Sequence, residues 1–147
     1  MRRGRQKRGP QEIGRSRGGP STKIHAVVDA LGNPVRFALS PGQAHEMRFA
    51  SDLLGGFANA YILGDRAYSS RALGEQLKEQ GCTVVIPSNP THAGPRAIDK
   101  HVYKERCLIE NFFQRIKRWR RISMRFEKLA RNYLGFLYLA ATLVWLL

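Results

Sequence analysis

Acidic residues are scarce in this chain of 147 residues: 11 Asp and Glu stand against 25 Lys and Arg, a formal net charge of +14. Such an excess implies a polyanionic partner, with nucleic acid the first choice. Neutralising phosphates needs no sequence reading, so the charge alone does not separate an enzyme from a binding module. Cysteine is nearly absent, with Cys82 and Cys107 the two examples. Their spacing makes no C-x2-C element and no His cluster accompanies them, which argues against a zinc site or a disulfide scaffold. Reduced, buried thiols of a cytosolic protein are expected. A signal peptide is not expected, because the basic N-terminus has no apolar run behind it. The apolar stretch at residues 133–147 is too short for a membrane span: 15 residues make a helix of roughly 22 Å against a hydrocarbon core of ~30 Å. It reads as a core helix. RSRGG at residues 15–19 is not followed by Gly-Lys-Ser/Thr, so it is no P-loop and no nucleotide cofactor is indicated.

The chain is long enough for one domain with a real core. Residues 1–20 are rich in Arg, Lys and Gly and nearly devoid of apolar side chains; a basic flexible segment, mobile without DNA, is expected there. Residues 21–147 form the folded part. Residues 23–30 and 35–40 read as two strands joined by the Leu31-Gly32-Asn33-Pro34 turn. Residues 45–57 have helical apolar spacing, and residues 61–64 make a short buried strand ending at Asp65. A helix over residues 69–80 is capped by Ser69 or Ser70 and stopped by Gly81. Residues 83–86 form another buried strand, residues 88–98 a Pro/Gly loop, and a long helix begins near Asp99. This order predicts an α/β fold with a mixed sheet.

The long helix carries the most chemistry. In HVYKERCLIENFFQRIKRWRR, the residues Tyr103, Arg106, Glu110 and Lys117 lie within roughly 60° of one another at about 100° per residue. Leu108, Ile109, Phe112, Phe113 and Ile116 make the apolar face. A carboxylate, two cations and a phenol on one stripe can hold a divalent metal and grip a phosphodiester. The same stripe also reads as a solvated face on which Arg106 and Glu110, four apart, pair as ordinary surface ions. Arg115, Arg118, Arg120 and Arg121 surround Trp119 and extend the positive surface, either as a DNA track or as solvated charge.

The spacing Y-x2-R-x3-E-x6-K resembles the signature around the third acidic residue of DDE transposases of bacterial insertion sequences, specifically the insertion sequence five type. All four positions match. RSRGGPSTKIHAVVDALGNPVRFALSPGQAHE resembles the family's second and third strands, YILGDRAYSS the segment with its second catalytic acid, and RISMRFEKLARNYLGFLYLAATLVWLL its C-terminal end. The resemblance runs from about residue 14 onward. It implies a ribonuclease H-like mixed sheet flanked by helices and lacking its first strand. It implies metal-dependent DNA strand cleavage and transfer, with Asp65 and Glu110 as the second and third metal-binding catalytic acids. Mg²⁺ or Mn²⁺ is the implied cofactor, in a two-metal site of the complete enzyme. Tyr103, Arg106, Lys117, Arg118 and Arg121 become phosphate-binding candidates, and His45 a support near the site. The implied partners are DNA, as transposon ends and target, and an upstream transposase half or further copies of the chain, in a bacterial cytoplasm at the nucleoid.

No residue matches the family's first Asp. Asp29 is the one early acid to consider, and it reads as a turn residue. The chain is therefore expected to be inactive alone, with a neighbouring strand edge left unpaired. The alternatives are a DNA-binding remnant without catalysis and a Mg²⁺-dependent nuclease of the same fold.

Overall fold

The computed structural model describes residues 9–89, 94 and 96–147. A basic hairpin comes first: β1 (Gly14–Ser16) turns into the long strand β2 (Gly19–Val28). β3 (Pro34–Pro41) follows, paired antiparallel to β2 from Thr22 opposite Pro41 to Val28 opposite Pro34. The turn between them is built by Asp29, whose Oδ1 accepts from the backbone N–H of Leu31 and of Asn33, each at 2.9 Å. Gly32 completes it at φ +80°, a conformation that side-chain-bearing residues rarely adopt. Asp29 is thus a turn residue, as its position suggests.

Next come α1 (Met47–Leu54), β4 (Tyr61–Leu63), a 3-10 turn at Arg66–Tyr68, α2 (Arg71–Glu79) and β5 (Thr83–Val85). Ser70 caps α2, its Oγ accepting from the N–H of Leu73 at 3.4 Å. Gly81, at φ +74°, ends the helical path. β4 and β5 pair in parallel, as strands joined by a helix do. The chain closes with α3 (Lys100–Lys104), α4 (Cys107–Ile116), α5 (Arg120–Met124) and α6 (Ala130–Leu146).

The α/β class agrees with the reading of the sequence, but three particulars differ. Among the described residues the strands form two sheets, β1-β2-β3 and β4-β5, where one mixed sheet was expected, and no ladder joins β2 to β4. The segment expected to be flexible through residue 20 is paired from Gly14 onward. Its anchor is Arg125, whose guanidinium donates to the carbonyls of Gln11 and Glu12 and to the Thr22 hydroxyl. Residues 1–8 lie outside the described residues, as does part of the expected loop at residues 88–98. Lastly, Cys82 is buried as expected whereas Cys107 is exposed, because it falls on the outer side of α4.

Two apolar clusters hold the elements. Phe37 of β3 packs with Phe112 and Ile116 of α4, Ile122 of α5, and Tyr133, Leu137 and Val144 of α6. Ala50 of α1, Ile62 of β4, Leu73 and Leu77 of α2, and Cys82 make the second. The apolar tail is thus a core helix on one side. Its other side leaves Leu139, Leu143 and Leu146 exposed. Among the described residues no helix is long and apolar enough to cross a membrane.

Leu137 has no exposed surface, whereas Leu139 is 57 % exposed on the same helix. Leu137→Ala should cost about 2–5 kcal/mol by leaving a cavity in the first cluster. Leu139→Ala should change stability by less than about 0.5 kcal/mol. Urea unfolding of both variants checks this, and equal losses would mean that α6 does not pack by the Leu137 face.

Candidate functional site

β4 is three residues long, and its short run delivers Gly64 and then Asp65 to the surface. Asp65 opens the 3-10 turn: its Oδ1 accepts from the Ala67 N–H at 2.8 Å, which fixes the carboxylate while leaving the side chain exposed. Tyr68, on the same turn, is half-buried. Burial first, then the charges of Glu46 and Asp65, push its phenol up to about 12, so it stays protonated and able to donate. Glu46, just before α1, also pairs with Lys23 of β2 at 3.4 Å.

Tyr103, Arg106 and Glu110 approach from the other side. They do not share one regular helix. α3 ends at Lys104 and α4 begins at Cys107; between them Glu105 and Arg106 donate to Val102 and Tyr103, three residues back. Such tightening winds the chain by about 120° per residue instead of 100°. Tyr103 and Arg106 are thereby brought nearly into line, and the guanidinium lies 5.7 Å from the centre of the Tyr103 ring. Arg106 Nη1 is 2.8 Å from Glu110 Oε1. Glu110 stands in the first turn of α4, where the helix dipole favours a carboxylate.

Two adjoining cavities join these groups. One, of about 400 Å³, is lined by Asp65, Arg66, Ala67, Pro87, Tyr103 and Arg106. The other, of about 630 Å³, takes in Asp65, Arg106 and Glu110 together with β2, β4, α1 and α4 residues. Residues 45 apart in sequence, Asp65 and Glu110, thus face one cleft. Arg106 shares it and also lines the smaller cavity, where Tyr103 joins Asp65; Lys117, Arg118 and Arg121 line neither. Lys117 and Arg118 are exposed beyond the end of α4, with no salt-bridge partner among the described residues. Arg121 is engaged otherwise, 2.6 Å from Glu127 and stacked 4.2 Å from the centre of the Phe136 ring. His45 is exposed and lines neither cavity; its neighbour Glu46 does, as do Tyr68 and His25. Sequence reading passed over Glu46, whose one signal was its place next to His45 at a helix start.

Carboxylate oxygens suit a hard divalent cation, and Asp65 and Glu110 are both exposed enough to reach one. The donor set fits in kind and is short in number: among the described residues, no three His, Cys, Asp or Glu side chains are grouped closely enough to hold a metal.

The family described as "Transposase DDE domain" matches residues 3–145. A Brucella ovis protein named as a transposase for insertion sequence element IS6501 is 40% identical over 128 residues, covering 86% of this chain and 98% of the relative. A Burkholderia cepacia protein named as a transposase for insertion sequence element IS402 is 26% identical over 153 aligned positions, covering 96% of this chain and 69% of the relative. No solved structure matches the chain significantly.

The inner end of the cleft has a pH response of its own. His25 is buried, with Nε2 2.8 Å from Ser40 Oγ and its ring stacked on Phe49. Burial lowers its pKa below the ordinary 6.5; Glu46 opposes the shift and Lys23 adds to it. At neutral pH folded and unfolded forms both carry a neutral imidazole. As pH falls through 6.5 the unfolded chain takes up a proton that the folded chain resists, so stability is lost. Urea midpoints should fall between about pH 7 and pH 5, and the fall should be smaller in His25→Gln. An equal fall in both would place the response elsewhere.

Proposed function

Because the chain belongs to the Transposase DDE domain family, we propose that it carries the second and third acids of a metal-dependent DNA strand-cleaving and strand-transferring site. The family acts in DNA transposition, binds DNA and generally uses a divalent metal. The finer reading is ours: a ribonuclease H-like fold, Mg²⁺ or Mn²⁺ as the ion, and a basic segment at residues 1–20 preceding a partial catalytic domain at 21–147. The observation that carries it is the meeting of Asp65, Arg106 and Glu110 on one cleft from distant parts of the sequence.

Asp65 and Glu110 would hold the metal. When bound, the ion neutralises charge on the entering and leaving oxygens of an in-line displacement. The chain's own groups position the substrate. Arg106, one third exposed, is a flat two-pronged donor matched to phosphate oxygens. The Tyr103 hydroxyl adds a donor on the same wall. Lys117 and Arg118 are exposed cations that lead a DNA backbone toward the cleft. Arg121 contributes field more than contact, since Glu127 holds it.

Glu46 and Glu105 border the same cleft, but among the described residues no third carboxylate is grouped with Asp65 and Glu110 closely enough to hold a metal, so cleavage should require a further acid. That same observation favours a second reading, a remnant that binds DNA without cutting it. The test is Mg²⁺- or Mn²⁺-dependent cleavage and joining of DNA ends by the chain alone and by the chain joined to an upstream segment bearing an Asp. The joined protein should act and the chain alone should not. Glu110→Gln and Asp65→Asn should each lower the activity by at least about 100-fold, the scale of losing one group that stabilises transition-state charge. Activity that survives Glu110→Gln would refute the site. Hydrolysis without joining would indicate a nuclease. DNA binding by the isolated chain should weaken with salt, and Lys117→Ala with Arg118→Ala should reduce the log–log salt slope by about 2, roughly 0.9 for each lost phosphate contact.

A further inference from the structure

We propose that the β1–β2 hairpin is a DNA contact separate from the cleft, its tip seated on a phosphate of the duplex. β1 and β2 pair from Gly14 opposite Ser21 to Ser16 opposite Gly19, so Arg17 and Gly18 form the tip. The base of the hairpin is fixed. A Cβ on Gly14 would collide with Gln43 and Pro41, and one on Gly42 with Ser21, so both strands are pressed against residues 41–43. Arg125 holds the entry to β1 through the carbonyls of Gln11 and Glu12. The tip is bare by contrast: Arg15, Ser16, Arg17 and Gly18 are all exposed. A contact held ready in this way loses little freedom on binding.

Gly18 serves no purpose within the chain. Its neighbour Gly19 takes φ +104°, which calls for glycine. Gly18 has no positive φ, and a Cβ there would meet only the Ser16 hydroxyl, at an ordinary 3.9 Å. An exposed backbone left bare for no internal reason admits the close approach of an outside group. The surroundings define the charge of that group. Arg15 and Arg17 have no ion-pair partner among the described residues. The N–H groups of Arg17 and Gly18 donate to no backbone carbonyl among them. Two guanidiniums beside two successive free amides suit a phosphate.

The hairpin also points back to the cleft. β2 runs from the tip to Lys23, which pairs with Glu46 beside Tyr68 of the turn that Asp65 opens. The five residues from Gly18 to Lys23 span about 17 Å. At ~3.4 Å per base pair, a duplex along β2 with one phosphate in the cleft places another at the tip about five base pairs away. This spacing rests on the proposed role of Asp65 and Glu110; the contact itself does not.

Binding of a duplex of about 20 base pairs and arbitrary sequence, followed by fluorescence anisotropy from about 50 to 200 mM salt, tests the contact without metal or cleavage. Gly18→Ala alters no charge. It should keep its urea midpoint and bind DNA about tenfold more weakly, the scale of one hydrogen bond to a charged group. Arg15→Ala with Arg17→Ala should reduce the log–log salt slope by about 2. Undiminished binding by Gly18→Ala, weakening matched by a lower urea midpoint, or an unchanged slope in the arginine variant would each overturn the contact. The spacing is read in the chain joined to an upstream segment bearing an Asp. Methylphosphonates, which lack the phosphate charge, placed about five positions from the cut should lower cleavage by the unaltered protein and have no further effect in the arginine variant. An equal effect in both would overturn the spacing. If the joined protein cuts nothing while the binding results hold, the hairpin contact stands, and the spacing and the metal-site assignment fail together.

Discussion

A strand edge carries backbone N–H and C=O groups that need partners once water is removed, and this constraint shapes the molecule. β2 and β4 each satisfy one side, through β3 and through β5. They are held facing each other by helices and not by a ladder. α4 does most of this. Its Phe112 and Ile116 are sunk in the first apolar cluster, while Ile109 and Phe113 border the cleft and Glu110 points a carboxylate into it. One helix therefore fixes the core, the separation of the two sheets and an acidic group of the site. A substitution that shifts α4 would move all three together.

The basic N-terminal hairpin depends on a different anchor. Arg125 takes φ +41°, an uncommon conformation for a residue with a side chain. Its guanidinium nevertheless reaches carbonyls on both sides of it, Gln11 and Glu12 before β1, and Glu127 and Lys128 after α5. It also lies 4.9 Å from the centre of the Tyr133 ring. Backbone strain at one residue is offset by several charge-assisted hydrogen bonds. The result ties the first described residues to the start of α6, where the Ala130 N–H also donates to Pro10 at 3.0 Å. A stretch too polar to bury itself is ordered by a cation 113 residues away from Glu12.

What could be read from the sequence was local. The Leu-Gly-Asn-Pro turn, the Ser70 cap and the Gly81 stop all act within a few residues of themselves, so their elements lie where the spacing puts them. The position of Asp65 could be read because a strand ends there, though only its centre, Ile62, is buried, and that of Glu110 because apolar residues recur around it at helical spacing. The rest was set by partners remote in sequence. Nothing near Glu105 and Arg106, neither Pro nor Gly, signals that the helix tightens there. Arg121 reads as a free cation until the loop after α5 brings Glu127 beside it. The Arg/Gly-rich hairpin reads as flexible until Arg125 is seen to hold it. Glu46 gives no signal beyond its place next to His45, because its meeting with Tyr68 and Lys23 depends on three different elements.

The resting arrangement of Arg106 suits the chemistry proposed for this cleft. Glu110 is 54% exposed, so its ion pair with Arg106 is well solvated and weak. A divalent cation carries twice the charge and is bound by carboxylates as hard ligands. It would displace the guanidinium from Glu110 at small cost. Arg106 then remains on the cleft wall, stacked near Tyr103, with its donors free for a phosphate. On the proposed chemistry, the guanidinium that pairs with Glu110 would thus become available to a phosphate once the carboxylate held a metal. A Lys at this position would share the charge but not the planar fork, nor the stacking that keeps Arg106 beside the cleft once its carboxylate is taken.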